Sequence, residues 1–600
     1  MIKLIKKHLV LLVLFALSTA NSQEKTSEKV LEKTKDTIIK TEVVNVVTSY
    51  VPKITDAFKI KQKPVIKHTK ETQKKELDYQ IFSVPVASTF IPKSGGMKKM
   101  DLTKKEAIFP NYLSVGFGNK ISPFLEANFR RAENYNSEFG AHLKFLLSAD
   151  PIENIPLSST YYTMGVNLFY AQQQRFFNWK AGIKATRNKH NWYGLPSNIS
   201  YTNATISAIE EEQAHNLFKV FSEFKFDDSY INKANFAVSF FSDIINSSEF
   251  LIEGNATFKL ALDNLYRNLN DLYINTTLSY LGNQFENSYL NQEEVNNGFF
   301  TIGVHPTYKL KVQDLAIKIG AKTYFSMDIE NKANNFFIYP DIEISHPIIA
   351  NYANVFIGVS GNLETNSYNS LSNKNPYISP TQKLLQTNKK FNAFAGIRGK
   401  LKNQFSYHIK VSYADIENNT FFALNQSKSN GDNIAGSNSF SLHGYEYGNS
   451  FNTEYDDTKL ASFFAEVAFE GIKNFTIGFN TQLNKFTLTN QLESWNTPDI
   501  KGEIFGTYKM NKWYAGTNLF FAGERKGKLY EIIPTQTYTT VNLESYFDIN
   551  FNGGFNFSDS FSVFLNLNNV LNNNYERFNN FNVQGFQAMG GLNWKFDSLF

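Results

Sequence analysis

The chain contains no cysteine in 600 residues. That excludes disulfides, thiolate catalysis and Cys-based metal sites, and it excludes a lipid-anchored mature N-terminus. Beyond the first twenty residues there is no apolar run near the roughly 20 residues that a membrane-spanning helix requires. Proline is scarce, at 16 residues, and no Pro-rich hinge divides the middle of the chain, so one large architecture is expected. Neither a G-x-S-x-G elbow nor a P-loop is present, and "SGGMKK" (Ser94 to Lys99) lacks the spacing to cradle phosphate. The nine histidines are scattered, and an E-x-x-H, Glu212 to His215, follows two further glutamates in a polar stretch. On a helix it would present both groups on one face, yet a carboxylate-bridged metal site needs further carboxylates beside it. It is read as a solvated loop end, and the adjacent acids Glu293-Glu294 and Asp456-Asp457 likewise. No catalytic, cofactor-binding or metal-binding residue is assigned, so the chain is not expected to be an enzyme and no cofactor is expected.

Charge is divided unevenly. Ser22 to Glu106 holds 18 Lys against 11 acidic residues, a surplus of +7; with Lys3, Lys6 and Lys7, and a total of +5, Ala107 to Phe600 is left at −5. A nucleic-acid partner would need a basic patch with interleaved aromatics on the folded part, and none is there. Lys3, Lys6 and Lys7 precede the apolar run Leu9 to Leu17 and the small residues Ser18-Thr19-Ala20, the pattern of an export signal over residues 1–20. Residues 21–110 follow as an extended, Lys-rich leader without sustained periodicity.

From Asn111 to the C-terminus the text is aromatic, with 56 Phe and 31 Tyr in the whole chain, and alternates apolar and polar residues at period two, the mark of strands with two unlike faces. Short links such as "FDDSY" and "KMNK" take turns with long polar ones, including Asn188 to Ala214, Ile416 to Asp457 and Leu488 to Asp499. A meander whose alternate turns are long has two unlike ends, as an outer-membrane barrel has. Counting through the alternation predicts an all-β fold: a closed antiparallel transmembrane β-barrel of about 22 strands over 111–600, with both termini on the short-turn side. A soluble sandwich or propeller shows the same alternation with its core inside. Stretches past ten residues, such as Thr540 to Phe551, favour spanning. On the final strand Leu592, Trp594 and Phe596 then face lipid, and Gln587, Asn593 and Lys595 a wet lumen.

At its last two strands the sequence resembles the TonB-dependent receptors of outer membranes. "NVLNNNY" (Asn569 to Tyr575) is similar to the family's Asn-x-Phe-Asp/Asn-x-x-Tyr element, with Leu571 where Phe is usual. "GLNWKF" is similar to the C-terminal signal read by the barrel-assembly machinery, carried here by Gly591, Trp594 and Phe596, although four residues follow it. "TEVVNVV" (Thr41 to Val47) is similar to a TonB box, which makes Glu42, Val43, Val44, Asn45 and Val46 the candidate strand for pairing with TonB; a Val-rich piece of unstructured leader would read the same way. The resemblance implies a location in the outer membrane of a diderm bacterium, with outer-membrane lipid around the wall, the leader in the periplasm, long loops at the cell surface, and transport across that membrane. It does not extend to the family's plug domain: no Arg precedes Arg130, and no folded-looking segment precedes the barrel. The lumen is then filled by the leader, by inward-folded loops such as Ile416 to Asp457, or by a partner.

Three functional classes follow: an uptake receptor coupled to TonB, a structural or adaptor barrel of a multi-protein complex with a periplasmic or lipoprotein partner, and a porin-like channel, against which the width of the lumen counts. Loop aromatics Trp192, Tyr193 and Trp495 are candidates for stacking on a glycan or small-molecule ligand or docking a protein; the competing reading is that large loops use them as packing anchors.

Overall fold

The computed structural model describes residues 108–262, 270–291, 293–350, 352–402, 404–432, 442–532 and 535–597. The export signal, the leader, the candidate strand Glu42 to Val46 and the question of a plug domain lie outside them. Twenty-two strands form one sheet, each antiparallel to the next, and the ring closes where Asn111–Gly118 pairs with Gln587–Phe596 in the register Asn111↔Phe596 through Gly118↔Met589. Closure satisfies every edge, as a wall in hydrocarbon requires. Both terminal strands end at the short-turn side, as expected.

The two ends are unlike. At one, turns are as tight as the two residues Lys473 and Asn474 between Phe451–Ile472 and Phe475–Leu488; Asn474 takes the left-handed region (φ 66°), which Asn tolerates better than most residues. At the other lie the long loops. The alternation lapses in places: 119–121, 243–247 and 329–332 are short at the long-loop end, and 261–271 is long at the opposite end. Two boundaries also differ from expectation. Phe405–Leu424 and Phe451–Ile472 run well past the 9 to 11 residues that span a bilayer, which narrows the loop between them to 425–450. Thr540 to Phe551 is two elements, a loop hairpin strand Tyr538–Leu543 and a wall strand Tyr546–Asn556. The chain turns between them where the Arg525 guanidinium takes the Glu544 carbonyl.

Side-chain alternation partitions the wall. Outward positions carry Val220, Ile302, Ile357, Phe479 and Leu592, all exposed on the cylinder's outside, where water would be a poor solvent and hydrocarbon a good one. Trp594 is 46% exposed on that face, whereas Phe596 is only 6% exposed, covered by Trp594 at 4.5 Å and Phe129 at 6.1 Å between ring centroids. Inward positions are polar or pair large rings with glycine. The Phe564 ring lies over Gly591, where a Cβ would come within 2.3 Å of it and 2.4 Å of the Val115 carbonyl. Gly591 therefore has a packing reason in the wall, apart from any signal it carries. No described helix is long and apolar enough to cross a membrane.

Candidate functional site

A ring of 22 strands spaced about 4.8 Å apart and tilted about 40° has a diameter of roughly 40 Å. Loops rooted on opposite sides can therefore touch only over the lumen. They do. Loop 192–211 rises between the fifth and sixth strands, and loop 366–385 between the thirteenth and fourteenth, eight strands round the ring. Their Tyr193 and Tyr377 hydroxyls are 3.3 Å apart, and Tyr377 stacks at 4.0 Å on Phe581 of the loop between the last two wall strands. Tyr193 also donates to the Asn582 carbonyl at 2.8 Å. One apolar cluster joins five loops through Leu157, Ile209, Leu371, Leu442 and Phe578, and sits on inward-facing Phe285, Phe299 and Phe451 at the strand tops. The long loops thus form a packed roof across the barrel mouth.

Some of its contacts are backbone against backbone. Gly444, in loop 425–450, lies so close to the Glu210 carbonyl of loop 192–211 that a Cβ would sit 1.6 Å from that oxygen. Gly431 of the same loop accepts from the Thr202 amide at 3.0 Å and has φ +102°, a conformation that glycine takes without strain. A second cluster, Phe421, Ala423, Phe486 and Trp495, packs loop 489–499 onto the wall, and Asn496 bridges from the Phe422 carbonyl (2.8 Å) to the Asn579 amide (2.9 Å).

Polar anchors fix the loops to the strand tops. Tyr368, fully buried at the start of the short helix Tyr368–Lys374, donates its hydroxyl to Asp243 Oδ2 at 2.9 Å and lies 3.3 Å from His215 Nε2. The Tyr368 and Asn369 amides donate to Glu249 at 2.5 and 3.3 Å. Asp243 Oδ1 takes the Ile245 and Ser247 amides. Burial raises the Asp243 carboxyl above its ordinary range, against the lowering pull of those hydrogen bonds, and burial raises the Tyr368 phenol as well. Asp456 is buried too, and accepts the Thr489, Asn490 and Gln491 amides at 3.0 to 3.1 Å. The sequence reading of Asp456 as a solvated acid is corrected: three convergent amides make an anion cradle that holds the loop. Arg525, 1% exposed, donates to the Glu576, Arg577 and Glu544 carbonyls at 2.8, 2.9 and 3.0 Å and so ties two loops together.

Below the roof the lumen wall is wet and paired: Lys219 with Glu253 (3.2 Å), Lys318 with Asp341 (2.6 Å), and His142 and Tyr112 both on Glu126 (3.1 and 2.6 Å). Lys180 Nζ stands 4.5 Å over the Phe169 ring. Such a surface offers a polar solute many weak, exchangeable contacts.

The sequence-singled residues fall as follows. Trp192 and Trp495 are fully buried and Tyr193 is 6% exposed; Trp192 meets Tyr445 at 5.4 Å, and Lys528 lies 5.0 Å over the Trp495 ring. In this closed arrangement all three are packing anchors and offer no free ring to a solute. Glu212 and His215 lie on a strand, so three-residue spacing puts them on opposite faces: Glu212 bonds Lys189 on the outside at 2.7 Å, and His215 points inward. Among the described residues no group of His, Asp and Glu could hold a metal ion. Sequence reasoning missed Tyr368, Asp243, Glu249 and Arg525, whose partners on other elements are 19 to 153 residues away.

The fold defines the class: a closed 22-stranded barrel of the outer-membrane kind, roofed by its own long loops. Among solved structures it has the fold of the TonB-dependent receptors. It is similar to the ferric-catecholate import receptor Fiu of E. coli (10% identity, TM-score 0.57, 82% of each chain covered). It is also similar to the FrpB iron transporter of Neisseria meningitidis (10%, 0.59, 81% of this chain and 82% of that one) and to the pyoverdine outer membrane receptor FpvA of Pseudomonas aeruginosa (13%, 0.59, 81% and 78%). These neighbours are named as receptors or transporters, not enzymes. No family model and no curated protein matches the sequence.

Proposed function

We propose that the chain is a gated uptake conduit of a bacterial outer membrane, working as a TonB-dependent receptor does, with the long loops at the cell surface, the leader in the periplasm and Glu42 to Val46 as the coupling strand. The observation that supports this most directly is the meeting of Tyr193 and Tyr377 from opposite walls: a barrel this wide is kept shut by loops that can separate. The fold shared with import receptors supports the same reading. The iron and siderophore chemistry in the neighbours' names belongs to those proteins; ferric chelates too large for porins are the solutes to try first here. Deleting Thr41 to Val47 from the full chain in its host should abolish energised uptake of the solute while barrel abundance in the outer membrane stays constant. Unchanged uptake would remove the coupling strand from the proposal.

A second reading, an adaptor barrel in a multi-protein complex, is favoured by the tightness of the roof, with Gly444 backbone on Glu210 backbone. Purification of the full chain in mild detergent separates the two. A lone barrel supports the conduit, and stoichiometric companion proteins support the adaptor.

A further inference from the structure

Where loops 523–545 and 569–586 meet, two arginines carry more donors than the protein has acceptors for. Arg525 spends its Nη groups on three backbone carbonyls, and its Nε, on a residue 1% exposed, reaches no acceptor. Arg577 is less provided still. Among the described residues its partly buried guanidinium makes no hydrogen bond and no ion pair, and its Nε is buried without a partner. Its Cζ lies 5.8 Å over the ring of Phe578, a contact that takes up none of its five N–H groups. In the same tight hairpin Asn580 Nδ2 is also buried without an acceptor.

The two arginines are neighbours. Arg525 Nη1 donates to the Arg577 carbonyl at 2.9 Å. Both charges also act on Tyr575: burial raises that phenol and Arg577 pulls it back, while burial lowers the Arg525 guanidinium and Tyr546, Glu576 and Tyr575 oppose the fall. Tyr575 stacks at 3.9 Å on Tyr546, whose ring centre is 5.0 Å from Arg525 Cζ. The nearby carboxylates are not the missing partners. Glu576 takes the Asn580 amide. Asp548 Oδ2 takes the Tyr575 hydroxyl at 2.6 Å, and Asp548 Oδ1 is itself buried without a donor, so it lies out of reach of both guanidiniums. Burying a guanidinium without a counter-charge is costly, and two at one joint repel each other. An anion between them removes both costs. The planar fork of a guanidinium matches the paired oxygens of an oxyanion, and a place where Arg525 is all but inaccessible admits a small ion and not a bulky solute.

We infer that Arg577 and the Nε edge of Arg525 bind a small inorganic oxyanion of the phosphate or sulfate class, and that the ion fastens loop 523–545 to loop 569–586. The site is independent of whether the barrel conducts a solute or couples to TonB. Full-length protein purified in mild detergent, and exchanged into a buffer free of both ions, is followed by amide hydrogen exchange at constant ionic strength. At ten times its half-saturating concentration, phosphate should slow opening of both loops about tenfold, as one site that binds only the closed joint requires. Sulfate should act in the same sense. Arg577→Gln should lose the response, and Arg577→Lys, which keeps the charge without the fork, should retain only part of it. Lys526→Gln removes an equal charge from loop 523–545, where Lys526 pairs with Glu524, and should respond as the wild type does. Resistance of the folded barrel to unfolding in cold SDS checks that each variant is intact. Exchange indifferent to phosphate in the wild type, an undiminished response in Arg577→Gln, or an equal response to chloride at matched ionic strength would each overturn the site, the last by reducing the effect to charge screening.

Discussion

The Tyr368 hydroxyl is one oxygen whose removal should loosen the roof. Tyr368→Phe keeps the ring among Phe285, Phe241 and His215, at 4.9, 5.2 and 5.5 Å, so packing is nearly preserved. What is lost is the 2.9 Å bond to Asp243 Oδ2, which keeps only a long contact from Gln213 at 3.4 Å. Leaving a buried acceptor short of a partner costs about 1–3 kcal/mol. Because the bond joins loop 366–385 to the top of the wall, the loss falls on local opening of that loop and not on the 22-stranded ring. Amide exchange over 368–384 should therefore speed up about 5- to 150-fold, while the midpoint for unfolding of the ring stays within error. Tyr368→Ala adds a cavity, and the cost rises to about 3–5 kcal/mol, enough to raise single-channel conductance through intermittently open loops. If Tyr368→Phe leaves exchange in the loop unchanged while Tyr368→Ala speeds it, the hydroxyl anchor contributes nothing and packing alone holds the roof.

Arg525→Lys should weaken the joint between loops 523–545 and 569–586, since an ammonium cannot serve three carbonyls in the guanidinium's plane; protease nicking of either loop in intact cells is the measurement, and resistance equal to wild type would contradict it. Gly444→Ala drives a Cβ into the Glu210 carbonyl, and should separate the two loops and lower the thermal midpoint of the roof, read by tryptophan fluorescence from Trp192. The raised Asp243 carboxyl gives a pH signature. The opened loop loses its proton first as pH climbs, so closure is favoured most below the ordinary carboxylate range and weakens as pH rises from there to the folded value. Asp243→Asn should flatten that part of the dependence in exchange measured at constant intrinsic rate; Tyr368, which bonds it, and His215 and Glu249, which contact Tyr368, remain.

How much of this was legible depended on the range of the interactions. The wall was readable because lipid imposes a local rule: period two on every strand, seen in Leu592 and Trp594 against Asn593 and Lys595, and unlike turns at the two ends. Strand count and closure follow from that rule by counting. Its failures are local as well. Leu543 to Tyr546 breaks a pattern that reads as continuous, because a distant arginine, Arg525, takes the carbonyl in between. The roof obeys no period. Asp456 looks like any solvated loop acid until the amides of 489–491 converge on it, and the aromatic residues Trp192, Tyr193 and Trp495 could be recognised as important but not as inward-facing.

For the conduit proposed above, the roof's construction limits how it can open. Moving a two-state gate from mostly closed to mostly open takes about 5.5 kcal/mol of differential binding. Separating all the loops at once would break the Arg525 carbonyl set, the Asp456 cradle, the Tyr368 anchor and the ring stack of Tyr377 on Phe581 together, and at about 1–3 kcal/mol for each polar anchor that passes what a solute gripping the outside would supply. Opening one loop is within reach. Loop 366–385 is the one whose release also takes Tyr377 off Phe581, which keeps Tyr193 and Phe451 at 4.9 and 5.5 Å, while Arg525 and Asp456 stay made. On this reasoning a disulfide placed between loop 366–385 and the strand tops should block passage, whereas one between loops 489–499 and 569–586, already joined through Asn496, should leave it intact. Passage through the first cross-link, or its loss with the second, would show that the gate lies elsewhere in the roof.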